Sequence, residues 1–330
     1  MAETSLGRMT RKSPVGAFES FGNSRFISIG GWINAIIPIL IVPYYSVIGG
    51  WVIKYLIEYF AGHSKTLAGD AYFTTFISNG WSTEICFIIF TLFTLGIIYA
   101  GVRNGIERVS KFMMPILIVL SLIIAVYSVT RPGAIEGVKY FLVPNFDHFS
   151  WMTVVSAMGQ MFYSLSIAMG ILITFGSYMK KDTSIEKSTE NVEIFDTAIA
   201  IMAGLMIIPA VFAFSGGNAE TLKSGPALMF ITIPKVFANM GFGTAIGVVF
   251  FLLVLFAAVT SSIALTESAV STFEDELHWS RKKSTVFMGM VMLLLGTLSC
   301  LGYGPLANFK ILGMQFLDFF DFITNSVTVS

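Results

Sequence analysis

Gly159-Gln160-Met161-Phe162-Tyr163-Ser164-Leu165-Ser166-Ile167-Ala168-Met169-Gly170 decides the fold of this chain. Two glycines frame a glutamine and two serines in the middle of an apolar run that extends from about 151 to 179. A run of that length reads as a membrane helix. Polar groups at that depth are costly, so they face either a neighbouring helix or a cavity. The residues alone leave both readings open. Small side chains at a tight helix interface, with serine bonded back to the preceding turn, would explain the stretch. So would a local break whose freed backbone groups face a substrate or an ion.

The flanking sequence has the same character. Further uncharged apolar runs occupy about 27–60, 84–102, 112–130, 190–214, 240–276 and 284–303, and another opens near Phe316. The runs are continuous rather than alternating, which predicts helices and not a barrel. Of the 330 residues, 55% are hydrophobic and only 12% are charged, half the usual share for a soluble domain. Mean hydropathy is +0.77. Twenty basic residues balance twenty acidic ones, which excludes nucleic-acid binding through net basicity. The chain is therefore read as an all-α polytopic membrane protein whose surroundings are the lipid bilayer.

Lys and Arg divide unevenly between the connections. Thirteen fall in 1–26, 103–111, 180–187 and 281–283, and six in the intervening connections, with Lys54 inside a span. The positive-inside rule makes the first set cytoplasmic. Segment 1–26 is then a cytoplasmic segment, and 27–330 holds the membrane spans and loops of one domain. Cys86 and Cys300 fall in spans, which argues against a disulfide framework. His63, His148 and His278 fall in connections, too scattered for a metal cluster. No GxxxxGK[ST], HExxH or GxSxG motif is present, so nothing supports an enzyme.

Other polar residues at membrane depth extend the argument. Ala257-Ala258-Val259-Thr260-Ser261-Ser262 offers three adjacent hydroxyls, suited either to back-bonding or to a small hard cation. Asp196 is an intramembrane carboxylate with no Lys or Arg in its own span, and should face the interior and meet a cation or a proton. Glu267 lies toward the cytoplasmic end of its span and is read as reaching water. Tyr44 and Tyr45 follow Pro43 in an apolar helix, where each phenol needs a partner.

In order and spacing these segments resemble the neurotransmitter:sodium symporter family, in particular its bacterial amino-acid transporters of LeuT-type fold. The carrying motifs are Glu3-Thr4-Ser5-Leu6-Gly7-Arg8 with Pro14-Val15-Gly16-Ala17-Phe18, then Tyr44-Tyr45 and Asn104-Gly105-Ile106-Glu107-Arg108. They continue through 159–170, Ser177-Tyr178, Thr260-Ser261-Ser262 and Phe273-Glu274-Asp275-Glu276-Leu277. The resemblance implies an inverted-repeat transporter fold around a central site. Against that pattern the chain runs from the end of the second family helix to the start of the tenth. It is expected to be truncated at both ends and inactive alone.

The resemblance also implies roles. Ile41, Tyr45, Tyr163, Ser166, Met169, Ser261 and Leu265 would surround the substrate, with the Tyr45 hydroxyl on its carboxylate. Ser164 and Asp196 would serve a first sodium ion. Ala257, by its carbonyl, Thr260 and Ser261 would serve a second. A carboxylate at 196 implies chloride independence. Asp321 resembles the acidic half of an outer gate and Asp275 that of an inner gate, with Tyr178 nearby. The expected activity is sodium-coupled uptake of an amino acid by alternating access at the inner (plasma) membrane, with no organic cofactor. The apolar wall favours a hydrophobic or aromatic side chain. The rival readings are an ion channel or a structural membrane subunit. A channel should show a pore-lining polar stripe, which the sequence lacks.

Overall fold

The computed structural model describes residues 1–22, 24–146, 149–218, 222 and 225–324; His148 and Lys223 lie outside them. Among the described residues the architecture is helical. α1 is Ala2–Thr10, α2 Arg25–Phe60, α3 Gly80–Tyr99 and α4 Arg108–Val129. α5 (Trp151–Ser164) and α6 (Ile171–Tyr178) follow, then α7 (Ile185–Ser215). α8 (Gly243–Glu276), α9 (Arg281–Leu301) and the short α10 (Phe316–Asp321) come last, and shorter helices at Pro14–Glu19, Ser64–Leu67, Tyr72–Ser78, Ala134–Leu142 and Ile233–Ala238 lie in the connections.

Among the described residues six helical stretches are long and apolar enough to cross a membrane: α2, α3, Val102–Val129, α7, α8 and α9. The seventh expected span, 151–179, is not continuous. α5 stops at Ser164, and α6 starts at Ile171. Between them Ser166 (φ 56°), Ala168 (φ 62°) and Gly170 (φ 68°) are left-handed. That conformation costs roughly 1–2 kcal/mol for a residue with a Cβ, so surrounding contacts must hold two of the three. Of the readings open for this stretch, local unwinding is the one the structure adopts.

The basic stretch expected as a loop at 103–111 is also helical. A π-helix, Val102–Glu107, runs directly into α4, and an i,i+4 ion pair joins Lys111 to Glu107 at 2.7 Å. Wide π turns inside helices commonly mark functional sites.

α2 packs most extensively against α8, and these two helices form the axis of the core. At the C-terminal end of α2 an aromatic cluster closes the bundle. Trp51 meets Phe73 edge-on at 5.3 Å, and Tyr55 stacks on Phe251 at 5.2 Å while its hydroxyl donates to the Phe230 carbonyl at 2.7 Å. Phe73 and Phe230 come from connections, from Tyr72–Ser78 and the π-helix Leu228–Thr232. Large apolar side chains such as Leu92, Phe93, Leu122 and Ile123 are exposed along α3 and α4. A continuous surface of this kind is what lipid covers.

α1 crosses α6 at very close range. A Cβ on Gly7 would lie 1.9 Å from the Ile173 carbonyl oxygen, so only glycine allows the crossing. This contact sets α1 beside the broken span.

Candidate functional site

The break between α5 and α6 is held from α1. The Ala168 amide, which a continuous helix would have bonded internally, donates to Glu3 Oε1 at 2.8 Å. Gly170 sits where a Cβ would meet Pro14 Cγ at 2.6 Å and the Asn34 carbonyl at 2.9 Å, so the chain turns there only without a side chain. Glu3 is a site residue that motif reading did not single out. Replacing it by alanine should leave the Ala168 amide unpaired, at a cost of about 1–3 kcal/mol. We expect Glu3→Ala to lower thermal stability and weaken substrate binding. Glu3→Gln keeps an acceptor and should retain most of both. Equal behaviour of the two variants would remove Glu3 from this role.

The broken span opens onto a cavity of about 490 Å³. Ile41 and Tyr45 reach it from α2, and Tyr163, Ser166 and Met169 from the break and its flanks. Ser261 and Leu265 reach it from α8. All seven residues that the resemblance places around a substrate therefore line one cavity. Its dimensions suit a small organic ligand, and its wall is mostly apolar with a few convergent polar groups. Tyr45 and Ser261 bring hydroxyls to this wall from α2 and α8.

Ser164, Asp196 and Thr260 line the same cavity. Asp196 projects from α7 toward the end of α5, where Ser164 Oγ donates to Asp196 Oδ1 at 2.7 Å. The intramembrane carboxylate thus faces the interior, and its contact is a hydroxyl from the broken span. On α8, Thr260 Oγ1 donates to the Phe256 and Ala257 carbonyls, each at 3.0 Å. This is the back-bonded arrangement. Ala257 does not line the cavity, although its carbonyl oxygen and the Thr260 hydroxyl lie side by side. Met114, Gln160, Ile171 and Ala264 line it as well. Ala264 follows Thr260 by one helical turn and Ile171 follows the Gly170 break, so their placement was within reach of periodicity. Met114 was not, because nothing in the sequence of α4 sets it apart.

The three gate candidates lie outside the cavity lining. The Tyr44 and Thr324 hydroxyls are 3.0 Å apart, and Asp321 lies close enough to act on Tyr44 electrostatically. This seats α10 on α2 near Tyr163. Asp275, near the C-terminal end of α8, accepts the Ser13 amide at the start of Pro14–Glu19.

Tyr178 is engaged elsewhere. Its hydroxyl donates to Glu267 Oε1 at 2.7 Å. Arg281 grips the same carboxylate in a fork, at 3.0 Å to Oε1 and 2.6 Å to Oε2, and donates from Nε to the Ile98 carbonyl at 3.0 Å. Glu274 lies 3.5 Å from the guanidinium. Glu267 is fully buried, which corrects the expectation that it reaches water. The physical reason is Arg281, which neutralises the charge and satisfies both oxygens. This cluster ties α3, α6, α8 and α9 together at the end of the bundle where the basic connections gather.

Comparison with known proteins gives a concordant result. The model of the sodium:neurotransmitter symporter family matches residues 73–329. An uncharacterized sodium-dependent transporter of Bacillus subtilis, YhdH, is 33% identical over 99% of this chain and 72% of its own length. An uncharacterized sodium-dependent transporter of Haemophilus influenzae is 30% identical over 99% of the chain and 74% of its own length. Among solved structures, that of MhsT in complex with L-phenylalanine superposes with a TM-score of 0.86 at 35% identity, covering 99% of this chain and 75% of that one.

Proposed function

The chain belongs to the sodium:neurotransmitter symporter family, and from that premise we propose that it takes up a hydrophobic or aromatic amino acid with sodium across the plasma membrane. Its helices form a LeuT-type, multi-pass membrane fold. The family is one of sodium-coupled transporters rather than enzymes. One observation carries the finer reading. A single cavity is lined by Tyr45, Tyr163 and Met169, by the unwound backbone around Ser166, and by the Asp196 carboxylate.

In this reading the substrate carboxylate lies by the Tyr45 hydroxyl. Its side chain lies against Ile41, Tyr163, Met169 and Leu265, a wall that offers no acid or base to a charged substrate. Ser164 and Asp196 supply hard oxygens for a first sodium ion. The Thr260 hydroxyl and the Ala257 carbonyl lie 3.0 Å apart and, with Ser261, supply oxygens for a second. Sodium and the substrate carboxylate stabilise one another in a low-dielectric site, so each raises the affinity of the other. The solved complex of MhsT contains L-phenylalanine, which supports an aromatic ligand here. Asp196 supplies the negative charge that chloride would otherwise provide, so transport proceeds without chloride. The basic connections face the cytoplasm.

The test is uptake of labelled phenylalanine, tryptophan and leucine by vesicles holding the protein expressed from its full reading frame. Replacing sodium with choline should lower uptake at least tenfold, and replacing chloride with gluconate should leave it unchanged. Lysine and glutamate should not compete. Uptake indifferent to sodium would refute the coupling, and effective competition by lysine would refute the substrate class.

A further inference from the structure

A second cavity, of about 350 Å³, lies away from the central site, on the flank of the bundle between α3, α4 and α8. Met113 and Val259 form its buried floor, while Phe93 and Phe112 stand exposed at its rim. Val109, Leu255 and Phe256 complete an apolar wall. Leu92 on α3 and Ile123 on α4 are exposed as well, and the cleft shares no lining residue with the central cavity, so its rim stands on an apolar flank suited to lipid.

One charged side chain lines it. Arg108 is the first residue of α4 and stands at the end of the cleft nearest the basic connection. Among the described residues nothing bonds its guanidinium. The adjacent carboxylate, Glu107, is engaged by Lys111 at 2.7 Å. Arg103 and Lys180 lie close enough to act on Glu107 electrostatically, so the surroundings of Arg108 carry an excess of positive charge. A guanidinium without a protein acceptor, at the interfacial end of an apolar cleft open to the bilayer, matches a phosphate joined to an acyl chain.

We propose that this cleft is a binding site for one anionic glycerophospholipid of the inner leaflet, with its phosphate on Arg108 and an acyl chain along Phe112, Phe256 and Val259. The site joins α4 to α8, and α8 also carries Thr260, Ser261 and Leu265 of the central cavity. The proposal rests on the transmembrane placement of these helices and on the proposed cytoplasmic side of the basic connections, and does not depend on the sodium or substrate assignments.

Native mass spectrometry of the purified, delipidated protein in mixed phosphatidylglycerol and phosphatidylethanolamine tests it. The protein should retain one phosphatidylglycerol in preference to phosphatidylethanolamine. Arg108→Gln should lower that retention at least tenfold, as should Val259→Trp, which fills the floor. Lys111→Gln should change it less than twofold. Equal retention of the two lipids, or unchanged retention by Arg108→Gln, means annular lipid only and overturns the site. Should either variant misfold, phosphatidylglycerol with a photoreactive acyl chain settles the matter on the unaltered protein. Labelling should concentrate on peptides containing Phe112, Met113 or Phe256. Even labelling of all lipid-facing helices overturns the proposal.

Discussion

Arg281→Met is expected to destabilise the protein by about 3 kcal/mol, measured as loss of thermal or denaturant resistance in detergent. Removing one partner of a buried ion pair usually costs about 3–5 kcal/mol, because the other charge is left without compensation. The low end applies here, since the Arg281 side chain keeps 22% of its surface exposed while that of Glu267 keeps none. Among the described residues Glu267 would retain only the Tyr178 hydroxyl as a hydrogen-bond donor, at 2.7 Å. The double variant Glu267→Met/Arg281→Met removes both charges and should be more stable than Arg281→Met alone. It should not fully recover, because Tyr178 would lose its acceptor, at about 1–3 kcal/mol. Strictly additive losses in the two single variants would show that the pair is not coupled. A functional consequence follows from the position of the cluster, which joins four helices at the end of the bundle carrying the basic connections. In the double variant that tie between the helices is gone. Conformations open to that side gain population, and the apparent substrate affinity falls although no residue of the central cavity has changed.

The fate of particular residues shows what the sequence could and could not reveal. Apolar runs gave the spans directly, since length and hydropathy are the physical requirements for crossing lipid. The break at 165–170 was not decidable from the residues alone. Glycine and serine suit tight packing as well as unwinding, and two of the three left-handed residues, Ser166 and Ala168, are not glycine. The Ala168 turn is held from outside by Glu3, which stands far away in sequence. The Glu267–Arg281 pair was hidden for a related reason. Its members lie on different helices across a turn, so neither helical periodicity nor span hydropathy connects them. The Thr260 hydroxyl was legible as an oxygen at membrane depth, but not the carbonyls it would choose. The aromatic cap was invisible because Phe73 and Phe230 come from connections, whose packing no periodicity governs. By contrast, the cavity wall was placed residue by residue through the motifs. The family resemblance that those motifs carry implied these positions, and the seven expected residues meet around one volume.

The largest functional effect is expected at Asp196. Its carboxylate lies 2.7 Å from Ser164 Oγ and faces the central cavity. In the proposed mechanism it supplies the fixed negative charge beside the first sodium ion. Asp196→Asn preserves size and keeps an acceptor for Ser164, so it removes the charge and little else. Hydrogen bonds and contacts to a charged group are worth about 1.5–3 kcal/mol, and each 1.4 kcal/mol is a factor of ten in affinity. The half-saturating sodium concentration should therefore rise roughly 10- to 100-fold, read from sodium titrations of substrate binding or uptake. Linkage requires that apparent substrate affinity at fixed, subsaturating sodium fall as well. Raising sodium should restore substrate binding in Asp196→Asn. A purely structural defect would not respond to sodium in this way, so the titration separates the two causes. Chloride gives an independent readout. The unaltered protein should be indifferent to it, whereas the variant, with one negative charge fewer beside the cation, should gain activity as chloride is added. An unchanged sodium dependence in Asp196→Asn would remove the carboxylate from the coupling mechanism. A chloride requirement in the unaltered protein would show that Asp196 does not balance the sodium charge.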